Sequence, residues 1–125
     1  MILDLSNQNL TKIEVEENLL RCYRENELLR IYSLENVTSL DCYNNQLTSL
    51  PDTLPGRLKT LGCSDNQLTS LPDTLPEGLE ELYCYRNQLT SLPDTLPGGL
   101  KTLYCYRNQL TSLPNTLPER LKTLW

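Results

Sequence analysis

The stretch "LYCYRNQLTSLPDTLP", residues 82–97, returns almost letter for letter from Leu103, 21 positions later. A fixed period of this kind constrains the fold more than any single motif, because one copy cannot bury its own apolar side and must stack on its neighbours. Four units align without gaps from Val37, Leu58, Leu79 and Leu100, and a fifth opens at Leu121. Each reads apolar-x-x-Leu-x-Cys-x-x-Asn-x-Leu-x-x-Leu-Pro-x-x-Leu-Pro-x-x. In "EELYC" the side chains alternate, so Leu82 and Cys84 face one way while Glu81, Tyr83 and Tyr85 face the other. The pattern predicts a stack of short parallel strands with the Leu/Cys side buried. A hydrophobic content of 38%, rich in Leu and without Phe, follows from filling one recurrent core position with one residue type.

The remaining repeat positions have separate duties. Cys22, Cys42, Cys63, Cys84 and Cys105 follow the repeat period, not a ligand spacing, and the chain has no C-x-x-C and no histidine. An odd number of cysteines fits a reducing compartment, and parallel column neighbours about 4.8 Å apart are poorly placed to form disulfides. The thiols read as packing, with no metal or other cofactor expected. Asn45, Asn66, Asn87 and Asn108 recur where the strand must turn, and their amides are expected to form a ladder that satisfies backbone groups orphaned by the bend. Two prolines per repeat fix φ and cannot donate to a ladder, so the convex side should be extended or polyproline-like. Asp52-Thr53, Asp73-Thr74 and Asp94-Thr95 read as turn-forming pairs between the Leu-Pro units.

The first eleven positions of each unit, together with the pairs Leu50-Pro51, Leu54-Pro55, Leu71-Pro72, Leu75-Pro76, Leu92-Pro93, Leu96-Pro97, Leu113-Pro114 and Leu117-Pro118, resemble bacterial leucine-rich repeat proteins of the LPX type. Their relatives include the repeat domains of secreted enterobacterial effectors. Many of those repeats run about 20 residues, so the 21 here are a departure and the likeness is to an architecture class. The expected fold is a leucine-rich repeat solenoid with a parallel β-sheet on the concave face, an extended convex side and few or no helices. Residues 1–125 are read as a single domain: irregular N-terminal repeats at 1–36, four regular repeats at 37–120, and the start of a further strand at 121–125.

The two ends depart from the period. Leu3, Leu5, Leu10 and Ile13 fall on core positions of a divergent repeat, with Gln8 where Asn should stand. In "EVEENLLRCYREN", Val15, Leu19, Cys22 and Tyr23 are at helical spacing with acidic residues early and arginines late, which predicts a short helix near residues 14–24. Alternatively Leu20, Cys22, Asn26 and Leu28 form a compressed repeat; from Leu10 to Leu47 is 37 residues, room for two short units. At the other end "LKTLW" stops at what would be the next strand, with no polar cap after Trp125. That leaves two openings: a fragment of a longer protein, or an edge strand that pairs with another chain and makes a homo-oligomer.

Function is expected on the concave face. Its columns are Ser39, Thr60, Glu81, Thr102 and Thr123; Asp41, Gly62, Tyr83, Tyr104 and Trp125; Tyr43, Ser64, Tyr85 and Tyr106; and Asn44, Asp65, Arg86 and Arg107. Six of the chain's eight aromatic residues lie there, none of them needed by the repeat core. Tyr, Trp and Arg combine large contact area with a polar handle, as binding hot spots do. The predicted partner-binding residues are therefore Tyr43, Tyr83, Tyr85, Arg86, Tyr104, Tyr106, Arg107 and Trp125. The competing explanation is a cross-strand ladder that only stabilises the sheet, copied by recent duplication.

The resemblance implies a protein partner, a host protein among the candidates. A net charge of −5 argues against nucleic acid held by bulk electrostatics. No apolar run is long enough for a membrane-spanning helix, so no membrane insertion is expected. The N-terminal MILDLSNQNL does not resemble a cleavable signal peptide, which fits a cytoplasmic location or secretion by another route. Some relatives carry a separate ubiquitin-ligase domain, absent here. Without histidine no Cys–His or Ser–His nucleophile can be built, so no catalytic residue is assigned and the chain is not read as an enzyme.

Overall fold

The computed structural model describes residues 1–125. Nine strands run in chain order: β1 Ile2–Asp4, β2 Lys12–Glu16, β3 Leu19–Arg24, β4 Glu27–Ser33, β5 Ser39–Asp41, β6 Thr60–Gly62, β7 Glu81–Tyr83, β8 Thr102–Tyr104 and β9 Thr123–Leu124. Six of them form one parallel sheet in the order β1-β5-β6-β7-β8-β9, and β2-β3-β4 form a separate antiparallel sheet. The parallel pairs are in register, so Leu3, Leu40, Leu61, Leu82, Leu103 and Leu124 make one column. This is a leucine-rich repeat solenoid. It contains no helix, and thus none long and apolar enough to cross a membrane.

The core is one continuous cluster of 28 buried apolar residues threaded through every turn. Leu40, Leu61, Leu82 and Leu103 point inward from the strands, with Cys42, Cys63 and Cys84 on the next rung of the pleat. Leu47, Leu68 and Leu89 follow past the bend, and Leu54, Leu75 and Leu96 close the convex side. Pro55, Pro76, Pro97 and Pro118 each accept a hydrogen bond at their carbonyl from the N–H three residues on, at 3.1–3.2 Å. Proline at the first position of such a turn uses its fixed φ where no donor is needed. The Asp-Thr pairs one step earlier are bends without that hydrogen bond.

The asparagine ladder joins consecutive turns. Asn66 accepts from the Leu47 N–H at 3.0 Å and donates to the carbonyls of Cys42 and Cys63 at 3.0 and 3.2 Å. Asn87 repeats this with Leu68, Cys63 and Cys84, and Asn108 with Leu89, Cys84 and Cys105. Asn45 makes the same link to the first turn, accepting from Gln8 and Leu10 and donating to Leu5 and Cys42. No buried side-chain nitrogen or oxygen is left without a partner.

The N-terminal expectation divides. Leu3, Leu5, Leu10 and Ile13 are buried as a first turn requires, and β1 joins the parallel sheet. The short helix near residues 14–24 does not form, nor does a compressed second repeat. Residues 12–33 are instead an antiparallel meander inserted on the far side of the first turn, and this accounts for the 37-residue offset between β1 and β5. The cause is local turn chemistry joined to pairing. Glu17 and Asn18 take φ of 52° and 62°, the two left-handed residues of a type I′ hairpin turn. Alternation then buries Leu20 and Cys22 from the central strand β3, while Leu28 is 45% exposed on β4 and belongs to no core column.

The five thiols are free and buried. Burial, then the neighbouring Asp41 and Cys22, pushes the Cys42 thiol up to about 12, and burial alone takes Cys22 to about 11. Cys63 and Cys84 are raised in the same direction, again chiefly by desolvation. With native pKa values above the unfolded value near 9, the folded chain keeps protons that the unfolded chain releases. Stability is therefore expected to be full below about pH 9 and to fall as pH rises above it. At pH 8 an aromatic disulfide reagent should label the native chain far more slowly than the chain in denaturant; equal rates would contradict the packing role.

Candidate functional site

The concave face is held by a backbone ladder longer than the strands themselves. The N–H groups of Cys63, Asp65, Cys84 and Arg86 donate to the carbonyls of Tyr83, Tyr85, Tyr104 and Tyr106 at 2.8–3.1 Å. Adjacent rungs therefore carry equivalent side chains about 4.8 Å apart. Tyr85 and Tyr106 stack with centroids 4.7 Å apart and planes 5° from parallel. Tyr83 meets Tyr104 edge to face at 5.2 Å, and Trp125 lies 6.1 Å beyond Tyr104. Tyr104 also lies 6.4 Å from both Tyr85 and Tyr106, which ties the two columns into one aromatic cluster.

Polar groups surround this cluster. The Tyr83 hydroxyl donates to the Glu81 carboxylate. Burial first, then that hydrogen bond and nearby carboxylates, pushes its pKa up to about 12, so it is a neutral donor at physiological pH. Arg86 lies 3.6 Å from the Asp65 carboxylate, an exposed pair worth at most about 1 kcal/mol. Arg107 makes no ion pair within the chain. Of the eight residues singled out in the sequence, the structure brings seven together and leaves Tyr43 apart, 40% exposed on the far side of the buried Ser64. One rung before the tyrosines, Gly62 and Ser64 stand in their columns, and the space above Gly62 is occupied. The Asp41 carboxylate leans into it, with an oxygen 2.7 Å from where a Cβ on Gly62 would stand.

One feature of the face is conformational. Asn7, Asn44, Asp65, Arg86 and Arg107, the whole fourth column, take left-handed φ of 57°, 55°, 54°, 55° and 56°. Asn and Asp visit this region readily, whereas other non-glycine residues are strained there by about 1 kcal/mol or more. The Asn/Asp run at 7, 44 and 65 was the sequence signal for it. The two arginines occupy a position the backbone disfavours. Clefts such as that lined by Asp94, Thr95, Leu117 and Arg120 lie between successive Leu-Pro segments, a larger one runs between β2 and residues 49–52, and none of these includes a tyrosine.

Residues 36–56 match the Leucine Rich Repeat family. No curated protein matches the chain. Among solved structures, the leucine-rich repeat domain of a Shigella effector superposes with a TM-score of 0.66 at 44% identity, covering 70% of this chain and 38% of the other. The chain thus spans less than half the length of that neighbour. Its repeats, its parallel sheet and this likeness agree: the chain belongs to the leucine-rich repeat proteins, and its repeats are of the bacterial effector type.

Proposed function

We propose that this chain is a protein-interaction module that binds a protein partner on its concave face, centred on Tyr83, Tyr85, Arg86, Tyr104, Tyr106 and Arg107, with Trp125 at one margin and Tyr43 as an outlying contact. The observation that carries the reading is the placement of Arg86 and Arg107 in left-handed backbone beside half-exposed stacked tyrosines. A sheet needing only stability is better served by Asn there, as the first two turns show. Disfavoured backbone kept at two successive exposed positions beside an aromatic cluster supports a functional reading. The thiols offer no nucleophile to this face, being buried and held protonated.

Replacing Arg86 and Arg107 together by Asn tests this. Relief of strain should leave the fold unchanged or raise its stability by roughly 1 kcal/mol, the lost Asp65 pair being exposed and weak. Capture of a partner from lysate should nonetheless weaken by at least about tenfold. A more stable variant that captures the same protein equally well removes the arginines from the site.

A further inference from the structure

The concave face is electrically polar along the solenoid. Asp4 and Asp41 stand in register on β1 and β5, two carboxylates on neighbouring rungs with no cation paired to either. Asp4 is hydrogen-bonded to Ser6, while Asp41 is turned across Gly62 toward the aromatic cluster. Like charges on facing positions destabilise a sheet, so this end carries an unmet demand for positive charge. Burial, and then Asp4, raises the Asp41 pKa, in keeping with uncompensated negative charge. At the other end, past a centre where Arg86 is matched to Asp65, Arg107 lies unpaired beside Tyr106.

Resting on the concave-face reading, we propose that the face accepts an extended segment of a partner protein carrying a basic side chain over Asp4 and Asp41, an acidic side chain at Arg107, and apolar residues across the tyrosines between them. Asp41 and Arg107 are three rungs apart and two columns over, about 16 Å, which an extended chain covers in about five residues. Gly62 is part of the device. Any side chain there displaces the Asp41 carboxylate that meets the basic residue.

The test uses the whole chain against an array of synthetic decapeptides. Each bears one Arg and one Glu separated by one to eight residues, with Leu, Tyr, Ser and Gly elsewhere, beside matched peptides with Gln in place of either charge. The expected result is preference for a separation near five. Asp41→Asn should abolish only the advantage of Arg over Gln, and Arg107→Gln only that of Glu over Gln, each by about tenfold. The variant with Tyr83, Tyr85, Tyr104 and Tyr106 all changed to Ala separates the two ideas. If it loses peptides that the natural chain binds without regard to charge spacing, the concave face binds but the polar reading is overturned. If it binds the array as the natural chain does, both readings fail.

Discussion

Asn87→Ala is expected to cost the fold about 2–4 kcal/mol, a large part of the 5–15 kcal/mol that holds a domain of this size together. The Asn87 side chain links three backbone groups across two consecutive turns and is the only partner of one of them, the Leu68 N–H. It accepts from the Leu68 N–H at 3.0 Å and donates to the carbonyls of Cys63 and Cys84 at 3.0 and 3.2 Å. Alanine removes all three bonds and leaves the residue's surroundings closed, since Asn87 is only 8% exposed. The orphaned Leu68 N–H costs about 1–3 kcal/mol, and the loss of one of two donors at each carbonyl, which keep Asn66 and Asn108, adds a smaller amount. Urea denaturation followed by circular dichroism should show a midpoint far below that of the natural chain. The same change at Asn108, nearer the last turn and less buried, should cost less. A loss under about 1 kcal/mol at Asn87 would mean water replaces the amide, and the ladder would not be the link between turns.

Much of this was legible because the repeat speaks several times. The in-register leucine column, the buried Cys column, the Asn ladder and the absence of helix in the Leu-Pro segments each follow from one position read in four copies. The N-terminal insertion was not legible by the same means, since residues 12–33 occur once. Val15, Leu19, Cys22 and Tyr23 fit a helical spacing by coincidence, whereas the decisive signals were local: Glu17-Asn18 and Glu25-Asn26, two similar dipeptides at the ends of alternating stretches. Glu17, Asn18 and Glu25 all take left-handed φ, at 52°, 62° and 57°. Pairing with β2 and β4 then overrode any helical tendency of β3.

On the concave face, sequence alternation was enough to list the residues in columns but not to show what they do to one another. That Tyr85 and Tyr106 stack while Tyr83 and Tyr104 meet edge to face depends on rotamers. That Asp41 fills the space above Gly62 depends on a short side chain leaning between rungs. The strain at Arg86 and Arg107 was foreshadowed by Asn44 and Asp65, whose type marks left-handed backbone.

The second large effect concerns binding. With Tyr83, Tyr85, Tyr104 and Tyr106 all changed to Ala, the chain should keep its fold, because these rings lie outside the buried cluster. The loss of aromatic pairs, at about 0.2–1 kcal/mol each, lowers stability modestly. Binding should fall by two orders of magnitude or more, because rigid aromatic anchors dominate interface energies. The most direct measurement is therefore affinity capture from cell lysate with three folded forms: the natural chain, the four-alanine variant, and a convex control carrying Thr53→Lys, Thr74→Lys and Thr95→Lys. The account predicts a protein held by the natural chain and the convex control and lost by the four-alanine variant. Capture unchanged by the four alanines, or abolished only by the convex lysines, would contradict it and leave the stacked tyrosines as scaffold.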